Sequence, residues 1–344
     1  MGAHGQVADY RVVGKKSMRS SASTEPFSFV FTACTDMMVW DTLVNESPQG
    51  HVFSRSSFLL SLGVTYSCYL VTAQHGQILA GAAILHNDSE MLQAPFEFTP
   101  HQGIIFSKYV SSLSQQKRLT IEFRITGFFI ESLIKVFSNF SMALSPFFND
   151  LRPFLWHNYG KKSAPFFRIQ QRYTGHLSLN SFDLDNYLSS VRSVRRQEYK
   201  KTRAVVEVSN DIDLFLKIYE KTFNRQSIEI DKLTLIRIKK ICETALSGGY
   251  GHLKCAKVDG TVASMAFFVT DLTSAYYLFG ANDPDFRFAN ASTKLLIESI
   301  AYFAGIRLSC FDFVGVNSPN RGDFKLSFGA ELVPYQDVHL LNYD

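Results

Sequence analysis

A chain of 344 residues with 46% hydrophobic and 19% charged side chains has the composition of a folded protein with an ample core, at a length suited to about two domains. Its formal net charge of +4 is too mild for a dense nucleic-acid track but suits an anionic ligand. The cysteines Cys34, Cys68, Cys242, Cys255 and Cys310 form no C-x-x-C pair and no metal spacing with histidine, and no run approaches the ~18–20 apolar residues of a membrane span. Buried free thiols in a reducing compartment are the expectation, which makes the protein cytoplasmic.

Residues 1–25 lack periodicity and read as a mobile tail. Lys15, Lys16 and Arg19 precede an apolar stretch, but polar residues 20–25 separate them from it and the stretch is short for a signal peptide. A strand over 27–33 and a helix over 36–44, with Asp36 at or near its cap, come next. Residues 68–73 and 78–84 read as a hairpin around the turn 74–77. A strand follows at 103–106, then a long helix at 120–138 carrying Ile121, Phe128, Phe129, Leu133 and Val136. Strands at 140–144 and 154–156 complete a first α/β domain, taken as 26–175.

The second domain, 176–344, opens with a helix over 184–199 that turns Leu188, Val191 and Val194 inward. Its other face carries Arg192, Arg195, Arg196 and Lys200, with Lys201 and Arg203 just beyond. That face is a solvated surface or a phosphate-binding one. Helices at 211–223 and 234–246 precede a hairpin, 252–258 and 262–270, joined at Asp259-Gly260. An apolar strand with tyrosines at 275–281, a loop at 282–288, a helix at 290–304 and a strand at 308–314 form one αβ unit. Its first loop delivers a helix N-terminus to solvent, a ready site for phosphate. No internal repeat is legible at residue level.

The chain has no G-x-S-x-G elbow, Walker loop, H-E-x-x-H or strand-borne G-x-G-x-x-G. Acyl transfer to an amine without a covalent enzyme intermediate, which the family resemblance of the segments below implies, needs none of these motifs. That reaction asks the protein for positioning, an oxyanion donor and a route for the amine's proton.

The slot Arg287-Phe288-Ala289-Asn290-Ala291-Ser292 resembles the Arg/Gln-x-x-Gly-x-Gly/Ala pyrophosphate signature of GNAT acetyltransferases. Asn290 and Ser292 replace its small residues, and asparagine is the usual substitute where the backbone turns left-handed. An ordinary helix capped by Asn290, behind a surface arginine, is the competing reading. Three further segments, Tyr276-Tyr277-Leu278-x-Gly280-Ala281, Phe311-Asp312-Phe313-x-Gly315 and Phe324-Lys325-x-x-Phe328-Gly329-Ala330-Glu331, are similar to the C-terminal half of FemAB/FemX-like tandem-GNAT acyltransferases. The likeness reaches back loosely to Trp40-Asp41, Val52-Phe53-Ser54 and 150–156. It implies an α/β protein of two tandem GNAT-like domains, each a mixed, mostly antiparallel sheet flanked by helices. The first would face the acceptor and the second acyl-CoA.

Under this resemblance, amides of Phe279, Gly280 and Ala281 on a splayed strand meet the acyl carbonyl, although Gly280 also reads as a glycine that merely ends a strand. Arg287 and the amides of Asn290, Ala291, Ser292 and Thr293 take the pyrophosphate. Lys325 stabilises charge on the donor or the tetrahedral intermediate, or else is a surface lysine on a turn. Asp312 is either a pocket carboxylate or a satisfied structural one. The family's acidic residue four positions after the glycine matching Gly103 is Ser107 here. The proton acceptor then becomes His101, ordinarily titrating near ~6.5, unless it only bonds within its loop. Glu97 is the weaker candidate. Glu97, Ser107, Arg152 and Phe324 are assigned to the substrate.

The expected activity is an N-acyltransferase that uses acyl-CoA as cosubstrate and no metal. Its acceptor would be a nucleotide-linked amino deoxysugar for surface polysaccharide, as in nucleotide-sugar N-acyltransferases of the FdhC kind. The alternative is a FemX-like transferase taking its aminoacyl group from transfer RNA to a peptidoglycan precursor, and a third reading is a degenerate GNAT pair that only binds. Nucleic acid enters only under that alternative, and no membrane partner is expected.

Overall fold

The computed structural model describes residues 12–13 and 28–342; the expected tail, apart from 12–13, lies outside the described residues. The chain divides into two compact units. Unit 1 holds the described residues up to Ser56, then Val64–Gln171 and the end of the chain from Tyr335, and unit 2 holds Ser57–Gly63 and Arg172–Pro334. The end of the chain thus returns to unit 1, where a continuous second domain to 344 had been expected.

Unit 1 begins with β1 (Val12–Val13), β2 (Phe29–Cys34) and α1 (Met37–Glu46). Asp36 caps α1, its carboxylate accepting from the amides of Met38 at 2.9 Å and Val39 at 3.4 Å. After the short α2 (Ser56–Ser61), which from Ser57 belongs to unit 2, unit 1 resumes with β3 (Tyr66–Ala73), β4 (Ile78–Asn87), β5 (Glu90–Met91) and β6 (Ile104–Phe106). Strand order is β1-β2-β3-β4-β5, with β6 also on β4. After α3 (Lys108–Ser111), the long α4 (Gln115–Val136) presses Ile121, Ile125, Phe129 and Leu133 onto this sheet. These positions repeat every four residues and form one helix face. Phe129 meets Phe31 edge-on at 5.8 Å. Next come β7 (Ser141–Ala143) and α5 (Arg152–Leu155). The strand expected at 154–156 is therefore a helical turn, started by Pro153 in its first positions.

The chain passes into unit 2 along β8 (Phe166–Ser178). The single helix expected over 184–199 is two, α6 (Leu184–Ser190) and α7 (Ser193–Lys201). Val191 and Arg192 between them are extended, and the Arg192 amide turns away to the Ser327 carbonyl at 3.2 Å. Val194 is consequently exposed rather than inward. β9 (Val205–Val208), α8 (Ile212–Asn224) and α9 (Lys232–Ser247) precede the hairpin β10 (Gly251–Val258) and β11 (Thr261–Thr270). Then follow β12 (Ser274–Asn282), α10 (Ala291–Gly305), β13 (Cys310–Asp312), α11 (Pro319–Leu326) and β14 (Glu331–Leu341). In unit 2 the order is β8-β13-β12-β11-β10-β9; β12·β13 is parallel and its neighbours are antiparallel. The second half of β14 pairs with β7 in unit 1. The fold is mixed α/β, its sheets flanked by helices. All five cysteines are free, and no helix among the described residues is long and apolar enough to cross a membrane.

Candidate active site

The site grows from an irregularity in β12. Phe279 faces Phe267 and Tyr277 faces Phe268, which leaves Leu278 as an extra residue in the ladder. The bulge brings Tyr277 over Gly280, so that a Cβ at Gly280 would stand 2.0 Å from the tyrosine hydroxyl. Only glycine fits beneath that ring. On its other edge, β12 pairs with β13 only through Ser274, Ala275 and Tyr276. From Tyr277 onward it runs on without β13.

The strands part because β13 stops. Val314 and Gly315 both have positive φ, 47° and 54°, a backbone that a β-branched residue such as Val314 adopts at a cost of roughly 1–3 kcal/mol. Two side chains hold Val314 there. Its amide donates to Asp312 Oδ1 at 2.8 Å, and its carbonyl accepts from Lys325 Nζ at 2.6 Å. Asp312 is buried and also bonds Thr174 Oγ1 and His176 Nε2. Of its two readings, the structure favours the satisfied structural carboxylate.

The far end of β12 is pinned to α8, since Thr222 Oγ1 donates to the Asn282 carbonyl at 2.9 Å and accepts from its amide at 2.7 Å. The following loop carries Arg287, and Thr202 Oγ1 tethers it at the Ala289 carbonyl, 2.6 Å away. α10 then starts at Asn290, with φ 57° and ψ 24° and no side-chain bond to the first turn. An ordinary capping asparagine is extended and accepts a first-turn amide. Asn290 stands at the N-cap position but does neither. It occupies instead the left-handed position that favours glycine.

Between β12, α8, α10 and α11 lies a cavity of about 510 Å³. Arg225, Arg287, Arg321 and Lys325 supply its cations, and its one carboxylate, Asp283, is bonded to Lys221 at 2.7 Å. Tyr219, Phe223 and Phe324 line it with rings. Burial pulls the Lys325 ammonium down to about 7, with Arg321 adding to the effect and Asp312 opposing it.

Of the residues expected at the acyl-CoA site, Phe279, Gly280, Arg287, Asn290, Ala291 and Ser292 line this cavity, joined by Lys325, expected as catalytic, and Phe324, which had been assigned to the substrate. Ala281 and Thr293 do not. Ala281 is fully buried. The Thr293 hydroxyl donates to Glu198 at 2.6 Å and accepts from Arg195 at 3.1 Å. Arg195 itself bonds Glu198 at 2.5 Å and lies 4.9 Å from the Phe324 ring. Arg196 serves carbonyls at the end of α6, and Arg192 pairs with Asp323. These three arginines bond their own unit, where a phosphate-binding face had been one reading.

The residues expected in the first domain are placed in unit 1 and do not line the cavity. His101 is 2% exposed, wrapped by His51, Phe53 and Tyr335. The Ser107 hydroxyl accepts from the Val110 amide and caps α3. Arg152 binds the Asp150 carboxylate through Nε at 2.8 Å and Nη2 at 2.7 Å. Glu97 is an exposed residue in the turn before Thr99. Sequence reasoning missed Tyr277, Arg225 and Arg321. Arg321 and Lys325 are four apart on α11, so recognising that helix would have put them on one face.

Residues 188–326 match the family model described as an acetyltransferase (GNAT) domain. Among solved structures, FemX superposes with a TM-score of 0.65 at 12% identity, over 88% of this chain and 96% of that one. The C-terminal domain of a putative lysylphosphatidylglycerol synthetase from Agrobacterium fabrum gives 0.53 at 11% identity, covering 88% and 90%. A tandem GNAT protein from the clavulanic acid biosynthesis pathway gives 0.51 at 9% identity, covering 91% and 98%. No curated protein matches the chain. Residues 188–326 are thus similar to a GNAT acetyltransferase domain, for which acyl-CoA is the implied cosubstrate, within a chain that has the fold of tandem GNAT proteins and is an acyltransferase.

Proposed function

We propose that the protein transfers an acyl group from acyl-CoA directly to the amine of a nucleotide-linked amino deoxysugar. The observation that carries the acyl-CoA part is the left-handed Asn290 at the head of α10, beside Arg287, at a cavity rich in cations. Free first-turn amides and the helix dipole favour a phosphate group there. The aromatic lining suits the pantetheine arm. The parted edge of β12 offers backbone donors from Tyr277 onward to the acyl oxygen as negative charge develops on it. The amine attacks the thioester carbon, the C–S bond breaks, and the amine's proton leaves through the enzyme as the thiolate is protonated. Lys325, bound at Val314 and titrating near neutrality, is the cavity group suited to take that proton. The amino-sugar acceptor comes from the family resemblance and accords with the net charge of +4. Free cysteines suit a cytoplasmic enzyme. Transfer RNA as the donor would need a dense cationic track, whereas the arginines of α7 are bonded internally.

Arg287 is exposed, its guanidinium 5.7 Å from the exposed Phe288 ring, so Arg287→Ala is expected to leave the fold intact. Acyl-CoA affinity measured by calorimetry should fall by about 1.5–3 kcal/mol, as for the loss of one charge-assisted bond. Unchanged affinity would refute the phosphate assignment. Thiol release from acetyl-CoA on adding nucleotide-linked amino sugars tests the acceptor. Transfer from charged transfer RNA, with no thiol release from any acyl-CoA, would establish the FemX-like alternative instead.

A further inference from the structure

The turn that begins with α5 points large side chains outward from unit 1. Leu155 is 56% exposed, Trp156 52% and Tyr159 82%. Single exposed apolar residues are ordinary, but three within five positions form a patch. Trp156 is also held in place: its ring packs against Phe123 at 5.5 Å and lies 5.6 Å from the Arg152 guanidinium, which Asp150 fixes. The same stretch is one-sided in charge. Between residues 151 and 171, all in unit 1, stand Arg152, Lys161, Lys162 and Arg168 and no aspartate or glutamate, with Arg152 paired to Asp150 just before them. Lys161, Lys162 and Arg168 are exposed.

Tryptophan and tyrosine settle at the headgroup level of a bilayer, where their rings meet the acyl boundary and their polar ends stay wet. Adjacent lysines add attraction to anionic headgroups. We propose that the α5 turn docks unit 1 on an anionic lipid surface, with Leu155, Trp156 and Tyr159 entering the interface and Lys161 and Lys162 contacting headgroups. This replaces the expectation of no membrane partner, which rested on the absence of a span. It involves unit 1 alone and goes beyond the acyl-transfer reading, so either can fail without the other.

The chain supplies its own probe. Of its two tryptophans, Trp40 is fully buried and Trp156 is exposed, so changes in quenching by acrylamide report Trp156. Mixed phosphatidylcholine–phosphatidylglycerol vesicles should shift the emission to the blue and protect it from quenching, an effect that weakens with salt. Pure phosphatidylcholine should do much less. The double variant Lys161→Glu, Lys162→Glu should lower the partition constant by about tenfold or more, and Leu155→Ser with Tyr159→Ser should lower it as well. Unchanged melting temperatures would show that both variants fold. No response of Trp156 to anionic vesicles would overturn the proposal. So would binding unaffected by the lysine changes, or a Trp156 response to transfer RNA but not to vesicles.

Discussion

Gly280→Ala is expected to lower kcat/KM for acyl transfer by about 100-fold, the scale on which a misplacement near 1 Å acts. The added methyl group would stand 2.0 Å from the Tyr277 hydroxyl and 2.9 Å from the ring carbon bearing it, well inside van der Waals contact. Either the tyrosine ring leaves or the bulge at Leu278 flattens, and both move the edge of β12 that lines the cavity. Overpacking of this kind costs about 1–3 kcal/mol of stability. Tyr277→Phe removes the nearer obstruction, so the double variant should recover part of the lost activity. The coupling is read from a double-mutant cycle on kcat/KM and on denaturation midpoints. A single variant with normal activity and stability would mean that the bulge does not set the site.

The helices and hairpins that position this site were legible because their signals are local. Asp36 capping α1, the periodic face of α4 and the Asp259-Gly260 turn between β10 and β11 each lie within a few residues of what they determine. The break at Val191 and Arg192 was not legible, since the Arg192 amide is claimed by Ser327, far along the chain. β8 and β14 were missed for a related reason. β8 keeps few of its residues buried, and β14 contains Pro334, so neither displays a clean apolar alternation. In the site, the loop from Arg287 to Ser292 was visible as a departure from a motif, but its meaning depended on the φ of Asn290. The role of Asp312 could not be read from its neighbours in sequence, because Thr174 and His176 come from β8. The cation at Arg225 had no local signal at all.

Lys325→Arg is expected to abolish most activity, by about 100- to 10,000-fold if the lysine is the proton acceptor. Arginine keeps the positive charge and can still donate toward the Val314 carbonyl, but it does not lose its proton at any working pH. Lys325 does, because burial pulls it down to about 7. Wild-type kcat should therefore rise with pH through about 7, and that limb should be missing in Lys325→Arg and in Lys325→Met. A Lys325→Arg enzyme of near-normal rate, with the limb still present, would return the residue to fixed electrostatic stabilisation. Stability supplies a second readout with a definite sign. The folded chain binds this proton less tightly than the unfolded chain, whose lysine titrates at its ordinary 10.5. Between about 7 and 10.5 the unfolded state holds a proton that the folded state lacks, so this group makes stability rise with pH across that window and contributes no slope below it. Lys325→Met removes the titration, and its urea-denaturation midpoint should rise less between neutral and alkaline pH than that of the wild type. Parallel midpoints for the two proteins would mean that the ammonium is not held in a desolvated place, and the proton-acceptor role would fall with it.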